Sequence, residues 1–258
     1  MTERTPMPVE PVLPPAFYAK SGLRTRSAAK DWWTLLHPPY TLWHLSYVVI
    51  GACLVGPVDV VNVVATVLAF FLAVGVAAHA LDELNGRPLR TDIPTWALVA
   101  ASAGGISGAV VLGVIGISRV GAGLVVFIVV GVVLAIGYNL ELWNGRLHTD
   151  TMFAASWGAF PLLTGYFAQH DALSATAVVG AFFAFYLSLA QRRLSTPARA
   201  LRRKTRQVEG TIVASDGTVV DITRATLLGP IEGALRALVW STVTLAAALA
   251  LSRLQPWP

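Results

Sequence analysis

Three ionisable side chains close a long apolar run in this chain: His79, Asp82 and Glu83, where the apolar stretch from Val58 to Ala80 meets a polar loop. Their spacing is i, i+3 and i+4, which on a helix puts them on one face. One imidazole and two carboxylates can do three kinds of work. They can hold a divalent cation, Mg on carboxylates alone or Fe, Mn or Zn where imidazole ligates. They can act as general acid and base. They can also form a hydrogen-bonded polar cap at a membrane surface. Asp82 is the strongest of the three, because Glu83 and Asn85 can also be read as solvated loop groups.

Other groups could join them. Glu141 closes another apolar stretch, with His148 and Asp150 shortly after it. His44 lies one turn above Tyr40 within an apolar segment and is a further possible ligand. The run 192–206 holds Arg192, Arg193, Arg199, Arg202, Arg203, Lys204 and Arg206. Arg192 and Arg193 could clamp a diphosphate, since guanidinium binds phosphate oxygens in pairs. The bland alternative for that run is membrane topology and anionic lipid.

The elements that must position these groups are apolar helices. Hydrophobic residues make up 55% of the 258 and charged residues 13%, about half the charged fraction of a soluble domain. Mean hydropathy is +0.64. Charges are segregated, leaving runs long enough to cross a bilayer. Seven spans are predicted: 40–57, 58–81, 95–117, 120–143, 151–168, 172–191 and 229–252. Lys20, Arg24, Arg26, Lys30, Arg87, Arg90, Arg146 and the arginine run fall on one side, and only Arg119 and Arg253 on the other. The positive-inside rule then puts the N-terminus in the cytoplasm and the C-terminus outside, as expected of a multi-pass plasma-membrane protein. The net charge of +5 reads as topology, and nucleic acid is not expected as a partner. The lone Cys53 excludes an intrachain disulfide.

Residues 1–16 are proline-rich and read as a disordered tail without a signal-peptide pattern. Residues 17–36 read as a basic interfacial helix ending in Trp32 and Trp33. Residues 37–191 form the membrane core of six helices, residues 192–228 a basic cytoplasmic loop, and residues 229–258 the final span. Within the loop, β-branched runs flank Asp216-Gly217, a hairpin signal. Glu232 and Arg236 are spaced to pair. Spans 2, 4 and 6 end on the same side, and their polar ends suggest one shared cytoplasmic cavity.

Order and spacing carry a resemblance. The stretch 37–51, HPPYTLWHLSYVVIG, is similar to the first helix of UbiA-type intramembrane prenyltransferases. HALDELNGRPLRTDIP, 79–94, resembles that family's first aspartate-rich motif, and 137–167 resembles its fourth-to-fifth helix passage, with Gly158, Pro161, Leu162 and Gly165 in a Gly-x-x-Pro-Leu pattern. The resemblance covers about 37–191. It implies an all-α bundle with a cytoplasmic-side cavity, a divalent metal, and a prenyl diphosphate or other isoprenoid as substrate. The chain also departs from the family. His79 stands where the first Asp belongs, Asp82 matches the second, and Gly86 replaces the third. The stretch after span 6, Ser188-Leu-Ala-Gln191-Arg192-Arg193, carries none of the second motif's carboxylates, and seven spans stand where the family tends to have nine. The expected function is a UbiA-like transferase or cyclase. A His/carboxylate transition-metal enzyme and a non-catalytic lipid- or partner-binding protein are the alternatives.

Overall fold

Long apolar sequences with few breakers fold here into long helices. The computed structural model describes residues 13–19 and 27–254. The proline-rich stretch 1–12 and the basic residues Lys20, Arg24 and Arg26 lie outside the described residues, so the expected tail and most of the expected interfacial helix do too. The helices are α1 (Ala28–Leu35), α2 (Pro38–Cys53), α3 (Val60–Leu84), α4 (Thr95–Val120), α5 (Leu124–Asn139), α6 (the continuous stretch 150–170), α7 (Ala175–Arg203) and α8 (Arg224–Leu254). Strands β1 (Thr211–Val213) and β2 (Val219–Asp221) pair antiparallel, with Ile212 opposite Val220. The Asp216-Gly217 turn closes this hairpin, with Gly217 at φ 85, a region open to glycine at no steric cost.

Each predicted span corresponds to one of the helices α2 to α8. Four of these, α3, α4, α7 and α8, are long and apolar enough to cross a membrane. The others are shorter or less apolar: α2 and α5 have 16 residues each, and Ser156, Trp157, Pro161 and Thr164 lower the hydropathy of α6. The long helices turn apolar side chains outward. On α4, Val111, Val114 and Ile115 are exposed, and on α7 Val179, Phe182 and Phe183 are. Contiguous apolar exposure on this scale marks a surface that meets lipid, so the chain reads as a membrane protein. Trp33, Trp96 and Trp143 are exposed near one end of the bundle, the place aromatic side chains take at a membrane interface.

Two boundaries differ from expectation. The fourth span was expected to run to 143, but α5 ends at Asn139, whose amide donates back to the Ala135 carbonyl at 2.7 Å. Glu141, Trp143 and Asn144 then take positive φ, so Glu141 sits in a turn and not inside a helix. The expected loop from 192 is helical as far as Arg203. Alanine, leucine, glutamine and arginine are good helix formers, and the stripe Gln191, Ser195 and Ala198 is buried. Tertiary packing holds this helix through Pro197.

Helix packing depends on glycines. A Cβ on Gly51 of α2 would strike the Leu162 carbonyl of α6, and one on Gly165 would strike the Val48 carbonyl of α2. A Cβ on Gly158 would meet the Ala184 carbonyl of α7 at 2.5 Å. The Gly-x-x-Pro-Leu pattern therefore seats α6 against α2 on one face and α7 on the other, as small residues do between membrane helices. Trp43, Tyr47, Leu162 and Val239 form the core where α2, α6, α7 and α8 meet. Tyr47 accepts there from Trp43 Nε1 at 2.5 Å and from Ser188 at 3.1 Å.

The end of the bundle where α3 begins is closed by side chains that satisfy helix termini. Asp59 caps α3 and accepts from Arg119 at 2.9 Å, and Arg253 donates to the Cys53 and Leu54 carbonyls ending α2. The two arginines isolated by the charge pattern thus share one end, and the arginine run lies at the other.

Candidate functional site

At that other end the helices enclose a cavity of about 320 Å³. His44 reaches it from α2, His79 and Asp82 from the end of α3, Glu141 and His148 from the turn after α5, and Arg192 from α7. Those six side chains, predicted from separate stretches of sequence, line one chamber. Two others do not. Arg193 is exposed on the far side of α7. Glu83 is fully buried outside the chamber, where its carboxylate accepts from Leu89 N (2.9 Å), Thr91 N (2.9 Å) and Thr91 Oγ1 (2.8 Å). Glu83 therefore holds the loop between α3 and α4, and its place beside Asp82 in sequence misleads about its role.

The histidines are oriented by backbone. His44 Nδ1 donates to the Trp157 carbonyl at 2.7 Å, His79 Nδ1 to the Gly75 carbonyl at 3.1 Å, and His148 Nδ1 to the Tyr138 carbonyl at 3.2 Å. A carbonyl only accepts, so each Nδ1 carries the proton and each Nε2 of the neutral ring presents a lone pair. The Trp157 and Gly75 carbonyls both lie in widened π-helical turns, Ala155–Ala159 and Phe71–Ala78. Such turns recur at functional sites, and here each aims a carbonyl at a cavity imidazole. His148 Nε2 faces Arg192 at 3.5 Å. The Nε2 atoms of His44 and His79, and the Asp82 carboxylate, have no hydrogen-bond partner among the described residues.

Among the described residues, the polar atoms of the cavity wall that are buried without a partner are His37 Nε2, Tyr138 OH and Gln191 Oε1. His37 stacks on His79 with ring centroids 4.3 Å apart and takes φ 45 at the start of α2, a conformation few non-glycine residues adopt. Its Nδ1 is bonded to the Tyr18 hydroxyl. Burial, with Tyr40 adding to it, holds that hydroxyl well above the usual tyrosine range, so it stays protonated.

The arginines divide by partner. Arg192 is bound to Asp150 at 2.9 Å and lies over the Phe153 ring. Arg202 forms a two-point pair with Glu232 at 2.5 and 2.9 Å, and it also donates to the Pro14 carbonyl, as Arg203 does to the Pro15 carbonyl. Arg236, the expected partner of Glu232, is its weaker contact at 3.7 Å. Arg199 donates only to the hydroxyls of Ser195 and Thr196 on its own helix and lines the cavity without a carboxylate partner among the described residues. It is the cation best placed for an incoming anion. Sequence reading centred the clamp on Arg192 and Arg193. The 3.6-residue period through 191, 192, 195, 199 and 202 is the signal that selects Arg199. His37 gave no such signal, because His-Pro-Pro reads as a helix boundary.

The Arg202–Glu232 pair is buried on both sides, which sets an expected result. Removing one partner strands a buried charge at a cost of about 3–5 kcal/mol. Glu232→Ala should lower the unfolding temperature of the solubilised protein sharply, whereas the double variant Arg202→Leu/Glu232→Leu should recover a large part of the loss.

Among the described residues no three His, Cys, Asp or Glu side chains come together in a way that could hold a metal ion. No family model, curated protein or solved structure matches the chain.

Proposed function

We propose that this chain is a UbiA-like membrane transferase or cyclase acting on an isoprenoid or similar lipid-soluble substrate. In this reading all seven helices α2 to α8 span the plasma membrane and the polar cavity opens to the cytoplasm. The observation that carries it is the meeting of two compartments of opposite character. An apolar groove of about 120 Å³ lies among α3, α4, α5 and α6, lined by side chains such as Phe127, Ile128 and Phe160. Val74 lines both this groove and the polar cavity. An amphipathic substrate fits that division, its chain in the groove and its reacting head in the cavity.

The cavity's residues suit the chemistry. Arg199, with Arg203 beside it, would hold an anionic leaving group such as diphosphate. Asp82 and the Nε2 atoms of His44 and His79 would take the proton that an acceptor releases when the carbon–oxygen bond to diphosphate breaks and the chain is transferred. In a cyclase, protonated Asp82 would instead start the reaction.

The test is product formation by purified protein in nanodiscs given farnesyl diphosphate and a lipid extract. The expected result is a new farnesylated or cyclised lipid, lost at least about a hundredfold in Asp82→Ala and Arg199→Gln. Undiminished turnover in Asp82→Ala would overturn the reading. Binding without turnover would favour the lipid-binding alternative. The transition-metal alternative draws on one observation: imidazoles held through Nδ1 by carbonyls are arranged as metal-bound histidines are. Stoichiometric Fe, Mn or Zn in anaerobically purified protein, lost in Asp82→Ala, would support it.

A further inference from the structure

Residues 14–19 are neither helix nor strand, yet Pro15, Ala16 and Ala19 among them are buried. A buried loop must satisfy its backbone polar groups. Composition helps here, because Pro14 and Pro15 have no N–H and offer only carbonyls. Arg202 donates to the Pro14 carbonyl at 3.2 Å and Arg203 to the Pro15 carbonyl at 3.0 Å. Hydrogen bonds from a charged donor are the stronger kind. Ala19 N–H then closes a turn on the Ala16 carbonyl at 3.1 Å, which presents Phe17 and Tyr18 to the bundle. Phe17 meets Tyr40 edge-on, with centroids 6.2 Å apart, and lies under the Arg236 guanidinium at 4.9 Å. Tyr18 also meets Tyr40 edge-on, at 5.6 Å, and its hydroxyl bonds to His37 Nδ1.

These anchors belong to the arginine-rich ends of α2, α7 and α8, so the segment crosses three helix ends. Pro15, Ala16, Phe17 and Tyr18 also line the polar cavity. The segment is thus a wall of the chamber built from outside the helices. Its seat is a few side-chain contacts and two bonds to backbone, and segments held so sparsely open locally without unfolding the rest. We propose that residues 14–19 are a strap that closes the arginine end of the cavity, and that it opens by letting go of Arg202, Arg203, Tyr40 and His37 while the helix bundle stays intact. Closed, it keeps water and dissolved solutes from His79 and Asp82. A ligand carried in the bilayer still has the apolar side, where Val74 joins groove and cavity. The strap serves any substrate of the cavity, isoprenoid or not.

A thiol placed inside the chamber tests it. The full chain carrying Asp82→Cys, in nanodiscs, is treated with a charged, membrane-impermeant methanethiosulfonate. Mass spectrometry follows labelling at position 82 and at Cys53. Cys53 is 2% exposed at the opposite end of the bundle, so it reports general loosening. Phe17→Ala/Tyr18→Ala should speed labelling at position 82 by about tenfold or more, because labelling follows the open population and the pair removes most of the strap's apolar seat. Arg203→Gln, which deletes one bond to the strap, should speed it severalfold. Cys53 should stay protected in both. Labelling at position 82 that is already as fast as in the denatured chain, or that the double variant leaves unchanged, would overturn the proposal. So would a rise at Cys53 in step with position 82, since Phe17 and Tyr18 would then hold the bundle and not its mouth.

Discussion

Glu83→Ala should destabilise this protein severely, while Asp82→Ala leaves it folded and inactive. The two carboxylates are adjacent in sequence and separate in function. Glu83 is fully buried and takes three hydrogen bonds, two from the backbone N–H groups of Leu89 and Thr91. Alanine leaves both N–H groups buried without an acceptor, at about 1–3 kcal/mol each. The two together, roughly 2–6 kcal/mol, are a large part of a typical folding stability of about 5–15 kcal/mol. The loop that Glu83 anchors also carries Leu89 and Ile93, which pack with Leu35 and Leu98 in a core of their own, so the loss spreads to α1 and α4. Asp82 is half-buried on the cavity wall, with no hydrogen bond or ion pair among the described residues. Removing it deletes nothing that holds the fold. The measurement is folded yield and unfolding temperature in detergent beside turnover for both variants. Equal stability loss in the two would refute this division of roles.

That pair also marks what the sequence could and could not disclose. The apolar runs, the hairpin turn and the segregation of arginines were legible, because hydrophobic period, turn residues and charge placement act locally. The shared cavity was legible in outline, since the polar ends of α3, α5 and α7 had to meet at one end of an antiparallel bundle. The difference between Asp82 and Glu83 was not legible: helical spacing places both near one face, and only the path of the following loop decides which carboxylate it covers. Nor was the aim of the histidines. Phe71-Leu-Ala-Val-Gly-Val-Ala-Ala78 is apolar throughout, so no periodicity reveals that its turns widen and offer the Gly75 carbonyl to His79. Arg199 was hidden differently. The run 192–206 reads as basic surface, and only as a helix through Arg203 does it present one stripe to the cavity.

Gly165→Ala should do damage out of proportion to one methyl group, and Gly51→Ala should match it. The two glycines are reciprocal: each lets a carbonyl of the opposite helix, Val48 on α2 and Leu162 on α6, lie directly against its own backbone. A Cβ there meets backbone, which cannot rotate away as a side chain can, so the helices must separate. Overpacking in a close-packed interior costs about 1–3 kcal/mol or more, and this interface also holds the Trp43, Tyr47 and Leu162 core. Separation reaches the site as well, because the bond from His44 Nδ1 to the Trp157 carbonyl crosses between the same two helices. The expected result is a lowered unfolding temperature together with weaker ligand binding in either variant. Gly104→Ala on α4 is the control. Among the described residues nothing lies within 4 Å of a Cβ placed there, so alanine should be neutral or should stabilise by roughly 0.5–1 kcal/mol through helix propensity. Gly165→Ala matching that control would mean that α2 and α6 do not touch through their backbones, and the cavity built on their contact would have to be redrawn.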